Sequence, residues 1–237
     1  MILLIHRKRA TGIAVFLLLT VTVLSLTIKP EKAVQAFSCV QLPEREVIIL
    51  DAGHGGADGG AVAADGTPES GINLAIVLRL RDFFSFMGWQ TVLTRTDDGS
   101  LADSDSGTLR QQKVSDTKNR VARINSIQNG CLISIHQNTL PGHPNVHGAQ
   151  VFYGTVSSSD SRAVFVQQAL NEAVNGGNEK NSKPIGSDIY IMAHAQCAAL
   201  LVECGFLSNS AEAALLLTPR HQTKLAAAIG CGYLQSR

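Results

Sequence analysis

Apolar residues in this chain fall into short runs that alternate with amphipathic stretches, and that rhythm predicts the fold class before any chemistry is considered. Val47-Ile48-Ile49-Leu50 is a compact apolar run that ends at a glycine-rich segment, residues 53–60, as a buried strand does. Residues 69–87 place Ile72, Ile76, Leu80, Phe83 and Met87 at helical spacing, and Gly88 follows where a helix C-terminus favours glycine. Gln90–Thr94 reads as a second strand, and residues 96–112 as a polar, flexible connection. Val114, Val121, Ile124 and Ile127 suggest the next helix. Strands are expected at Cys131–Ile135, Ala149–Tyr153, Ile189–Met192 and Ala199–Val202. Helices are expected over Val164–Val174, around 211–217 and over 219–230. Alternation of this kind implies an α/β domain, a sheet with helices on both faces.

The N-terminus breaks the rhythm. Arg7-Lys8-Arg9 precede an uncharged stretch, Ala10 to Ile28, with no polar face. As a helix it would reach about 28 Å at ~1.5 Å per residue, close to the ~30 Å hydrocarbon core of a membrane. The basic flank would stay in the cytoplasm and send the rest of the chain outside. Residues 1–28 are therefore read as a membrane anchor or signal segment, 29–45 as a linker and 46–237 as one domain. A cleaved signal peptide is the competing reading, because Val34-Gln35-Ala36 offers the small residues of a cleavage site.

Composition narrows the function. The 237 residues carry a net charge of +1 and 5% aromatics, which argues against nucleic acid as a partner. The five cysteines, Cys39, Cys131, Cys197, Cys204 and Cys231, form no C-x-x-C pair, so a thiolate metal site is not expected. Cys131 and Cys204 sit in apolar runs and read as core residues. Any metal must then be held by histidine and carboxylate.

Three residues stand at the ends of expected strands, where open α/β sheets gather ligands. His54 lies in the glycine loop after the first strand, His136 follows Ile135, and Glu203 follows Val202. Glu69 opens the first long helix and can reach the same rim. A catalytic zinc takes three such protein ligands and keeps one position open, and a nearby carboxylate then moves the proton. Glu203 is the most telling of the four, because a charge inside Leu200-Leu201-Val202-Glu203-Cys204-Gly205-Phe206 is costly unless it is paired or used. His6, His143, His147, His194 and His221 are read as ordinary histidines. The glycine loop fails as a dinucleotide fingerprint because Asp58 stands where glycine is required; no Walker A, G-x-S-x-G or H-E-x-x-H pattern occurs.

Four segments taken in order carry a resemblance. Ile48-Ile49-Leu50-Asp51-Ala52-Gly53-His54-Gly55-Gly56, the helix opening at Glu69, Ser134-Ile135-His136-Gln137-Asn138 and Val202-Glu203-Cys204-Gly205-Phe206-Leu207-Ser208-Asn209 resemble the zinc-dependent N-acetylmuramoyl-L-alanine amidases of the amidase 3 family. The resemblance spans roughly residues 46–235 and is similar in its details to the spore-cortex, CwlD-like type. It implies a six-stranded, mostly parallel sheet, with His54, Glu69 and His136 as zinc ligands and Glu203 as the catalytic glutamate. It implies cleavage of the amide between the muramic acid lactyl group and L-alanine in peptidoglycan, outside the cytoplasm, during spore-cortex maturation. An activating protein partner is a further implication. A vegetative cell-separation amidase and a zinc peptidase acting within the stem peptide are the alternatives. The chain departs from the family pattern at Ser70-Gly71, at Gln137 in place of alanine, and at Cys204 in place of threonine or valine.

Overall fold

The computed structural model describes residues 16–20, 22 and 45–237. Residues 16–20 are helical. The rest of the expected anchor, the linker to Glu44 and the Val34-Gln35-Ala36 site lie outside the described residues. Among the described residues no helix is long and apolar enough to cross a membrane. Arg45–Arg237 form one compact unit.

That unit is built on β1 (Val47–Ala52), β2 (Thr91–Leu93), β3 (Gly130–Asn138), β4 (Gln150–Tyr153), β5 (Lys183–Pro184) and β6 (Ala198–Phe206), in the spatial order β2-β1-β3-β6-β4-β5. β2, β1, β3 and β6 pair in parallel, and β4 runs antiparallel to β6. The helices are α1 (Glu69–Phe86), α2 (Leu109–Asn125), α3 (Ser159–Ala173), α4 (Tyr190–His194), α5 (Ser210–Leu216) and α6 (Pro219–Gln235). Side chains alternate across each strand, so the central strands feed two cores. Ile48, Leu50, Ile133, Ile135, Leu200 and Val202 pack with Ile76, Leu80, Leu170 and Ile229 on one face. Ile49, Leu132 and Leu201 pack with Ile124, Ile191 and Met192 on the other, thinner face. Central strands buried on both faces explain their nearly continuous apolar spelling.

Several expectations need correction. Ile189–Met192 is not a strand: Tyr190–His194 is a short helix. Its four β-prone residues are too few to show a helical period, so the apolar run alone misleads. The sixth strand is instead Lys183–Pro184, two exposed residues with no apolar signature. The buried stripe of α1 runs through Ile72, Ile76, Leu80 and Phe84, while Met87 is exposed. The connection before α2 is tied down rather than loose: the Leu101 N–H donates to Asp116, and Asp103 accepts from Ser115 and Asn119. Thr108 and Gln111 form a capping box that sets the start of α2. β3 and β6 run past their apolar cores, so His136 and Glu203 lie inside strands and face each other in register.

Candidate metal and catalytic centre

His136 and Glu203 are register partners on the central β3–β6 pair and share the face of Leu132 and Leu201. His54 arrives from the loop after β1 in a left-handed conformation, φ 62°, and Glu69 from the first turn of α1. His54 Nε2 lies 3.1 Å from Glu69 Oε1, and His136 Nδ1 lies 3.7 Å from Glu69 Oε2. One ligand atom from each of the three falls within 4.8 Å of the others. The two imidazoles meet edge to face at 5.1 Å.

Two glycines make this approach possible. A Cβ at Gly53 would sit 2.2 Å from the His136 ring, and one at Gly60 would sit 2.3 Å from Glu69 Oε1. Gly60 also adopts φ 70°, which a side chain disfavours.

Two members of the triad, His54 and Glu69, are oriented by neighbours. His54 Nδ1 bonds Asp58 Oδ2 at 2.9 Å, which turns Nε2 toward the centre. Asp58 is itself held by Lys113 Nζ at 2.7 Å and by the Gly60 N–H at 3.1 Å. Glu69 accepts from the Ala61 N–H, the Gln137 N–H and Asn73 Nδ2. Gln137, the departure from alanine, turns its amide away to donate to Asn73 Oδ1 at 3.0 Å, so it braces Glu69.

Two buried arginines fix the loop below. Arg120 on α2 donates to Asp51, Asp116 and the carbonyls of Ala52 and His54. Arg95 donates to the carbonyls of Ala52, Gly53 and Ser70. Asp51 also accepts from Thr94 and Ser134. Reading the sequence for ligands missed this platform. Asp51 is a carboxylate at the end of an apolar strand, the signal that marked Glu203, and Asp58 lies four residues after His54.

Charge in the centre is strongly perturbed. Burial alone would lower the His54 imidazole, but bonds and charge from Glu69 and Asp58 outweigh it and lift it to about 9. Burial would raise Glu69, yet the two histidines and the Ala61 N–H hold it down to about 2. Burial lowers His136, and the Glu69 charge offsets only part of that. Burial, with the Glu69 charge added, pushes Glu203 up to about 8. Glu203 Oε2 is buried with no hydrogen-bond partner among the described residues. Two imidazoles and a carboxylate with converging donor atoms, the His54 ring set from behind by Asp58, and an unpartnered acid oxygen on Glu203 make a donor set that fits a tetrahedral divalent metal with an open position.

This fold and this centre belong to a known class of enzyme. The model of the N-acetylmuramoyl-L-alanine amidase family matches residues 48–233, and the chain belongs to that family of peptidoglycan amidases. Within it the likeness is to the CwlD type. The CwlD amidase from Clostridioides difficile, solved in complex with the GerS lipoprotein, superposes with a TM-score of 0.78 at 38% identity, over 81% of this chain and 98% of that one. The germination-specific N-acetylmuramoyl-L-alanine amidase of Bacillus subtilis is 33% identical over 190 residues, 80% of this chain and 79% of the relative. The amidase AmiC2 of Nostoc punctiforme superposes with a TM-score of 0.68 at 25% identity, over 80% of this chain and 96% of that one.

Proposed function

We propose that this amidase is zinc-dependent, with His54, Glu69 and His136 holding the metal and Glu203 as the general base, and that it releases the stem peptide from muramic acid in the spore cortex. The observation that carries the proposal is the His54–Glu69–His136 set, its donor atoms within 4.8 Å, beside a buried Glu203 oxygen that nothing occupies. When bound, zinc supplies a Lewis acid that polarises the scissile carbonyl and acidifies water. Glu203 takes the proton of the attacking water and returns it to the departing alanine nitrogen. Burial and the Glu69 charge raise its carboxyl when no metal is present, and a bound cation would draw it down toward the ionised form that a base needs. Asp58 fixes the His54 tautomer, and Arg95 and Arg120 hold the loop that carries it.

The setting follows from the sequence and the relatives' names. The basic flank and apolar stretch of residues 7–28 support an outward-facing domain, anchored in the membrane or released after signal cleavage. The germination-specific relative supports a role in cortex rather than in cell separation. The lipoprotein in the Clostridioides difficile complex supports a protein partner for this chain.

Metal analysis of the purified protein with activity on purified peptidoglycan tests the core of the proposal. About one zinc per chain is expected, with turnover lost to a strong chelator and restored by zinc. Full turnover in metal-free protein would overturn it. A deletion strain with normal cortex and unseparated vegetative cells would move the enzyme to the cell-separation role.

A further inference from the structure

The metal centre opens sideways onto α2. A cavity of ≈ 220 Å³ at His54 and His136 reaches Thr117 and Tyr190. Those two residues also line a neighbouring hollow of ≈ 230 Å³, completed by Lys113, Val114 and Lys118. Past Val114 and Lys118 a third hollow, ≈ 340 Å³, extends to Arg110. The three form a continuous trough that starts at the reacting centre.

Away from the centre, the α2 side of the lining is apolar and cationic. Arg110, Lys113, Val114, Thr117 and Lys118 recur every three to four residues and so share one side of α2. Val114 is 48% exposed and Tyr190 39%, an apolar floor left uncovered. Cations stand along it. Lys113 is anchored to Asp58, while Lys118 and Arg110 make no ion pair or hydrogen bond among the described residues. The acids of the lining are all engaged: Asp51 and Asp116 by Arg120, Asp58 by Lys113, and Asp103 by Ser115 and Asn119. From Arg110 to Lys118 the helix rises about 12 Å, the reach of three to four extended residues.

We infer that this trough is the subsite for the peptide side of the substrate and that Lys118 and Arg110 recognise the carboxylates of an acidic stem peptide. The inference rests on the amidase reading, because it is that reading which places a peptide amide at the centre. It assigns direction as well: peptide along α2, sugar on the opposite side of the metal. The aliphatic stems of the lysines and the Tyr190 ring would cover the peptide's methylenes while the cationic heads meet its acids. An exposed ion pair contributes about 0.2–1 kcal/mol, so selectivity here comes from reversing several weak contacts together.

Calorimetric titration of the zinc-loaded full chain tests this with two dipeptides, L-alanyl-D-glutamate with both carboxylates free and the same dipeptide with both carboxyls amidated. The acidic peptide should bind tighter, and the margin should shrink with added salt. The double variant Arg110→Glu/Lys118→Glu should weaken the acidic peptide about 10-fold and leave the neutral one unchanged. Equal binding of the two peptides to the unmodified chain would overturn the inference. So would an equal loss of both in the variant, or displacement of the dipeptide by a peptide-free muramyl disaccharide, which would give the trough to the glycan. Charge-dependent binding in a chain that fails to hydrolyse peptidoglycan would sustain the subsite and sink the amidase chemistry instead.

Discussion

The sheet carries a buried charged cluster at each end, and the two are built on opposite terms. At the N-terminal end of the strands, Glu46 receives Arg162 Nη1 at 2.9 and 3.0 Å, the Tyr233 hydroxyl and Arg237 at 3.3 Å, so both carboxylate oxygens are taken. Arg162 also lies over the Tyr233 ring at 5.7 Å. These contacts tie β1 to α3 and α6. At the C-terminal end, Glu203 keeps one oxygen unpartnered and is further raised by the like charge of Glu69. A buried charge without a partner costs stability, whereas a fully paired one is close to neutral but loses heavily when one partner goes. The paired cluster therefore organises the fold, and the unpaired one holds the strain that the proposed chemistry would use.

The sharpest division should come from Glu203→Gln. Turnover on peptidoglycan should fall about 10²–10⁴-fold while zinc content and the melting temperature of the zinc-loaded protein hold. A variant with near-normal rates would return Glu203 to a structural role. Arg162→Met should do the reverse. Leaving Glu46 short of its partner costs about 3–5 kcal/mol, roughly 10 °C in melting temperature, with kcat intact at permissive temperature. Selective loss of activity there would show the two ends to be coupled. Asp58→Asn frees the His54 ring from its orienting charge and should weaken zinc binding about 10–100-fold, measured by competition with a chelator.

The smallest expected effect concerns pH. In metal-free protein, Glu203 titrates near 8 instead of its ordinary 4.5. Between those values the native chain holds a proton that the unfolded chain has released, so stability falls as pH rises through this window. Glu203→Gln removes that decline. Its melting temperature in chelator should exceed the parent's by an amount that grows from pH 5 to 8 and then levels. A constant offset would remove the assigned burial cost.

What was legible in the sequence follows the same physics. Strands buried on both faces spell themselves in apolar residues, so β1, β3 and β6 are plain, and His54, His136 and Glu203 are marked by standing where those runs stop. The four residues of Ile189–Met192 were misread because a single turn has no period. Lys183–Pro184 left no trace because an exposed two-residue strand has nothing to bury. The platform of Asp51, Arg95 and Arg120 was unread for a different reason. Most of its bonds join residues 42 to 83 positions apart, and its arginines bond mainly to backbone carbonyls, which carry no sequence signal.

The margins of the sheet have a consequence for the chain as a population. Each edge is a potential template for a neighbour's backbone, and long bare edges invite copies to polymerise. Here one margin is β2, three residues long, and the other is β5, where Pro184 lacks an N–H and Lys183 carries a charge. Among the described residues neither margin offers a ladder long enough to template a second chain edge to edge.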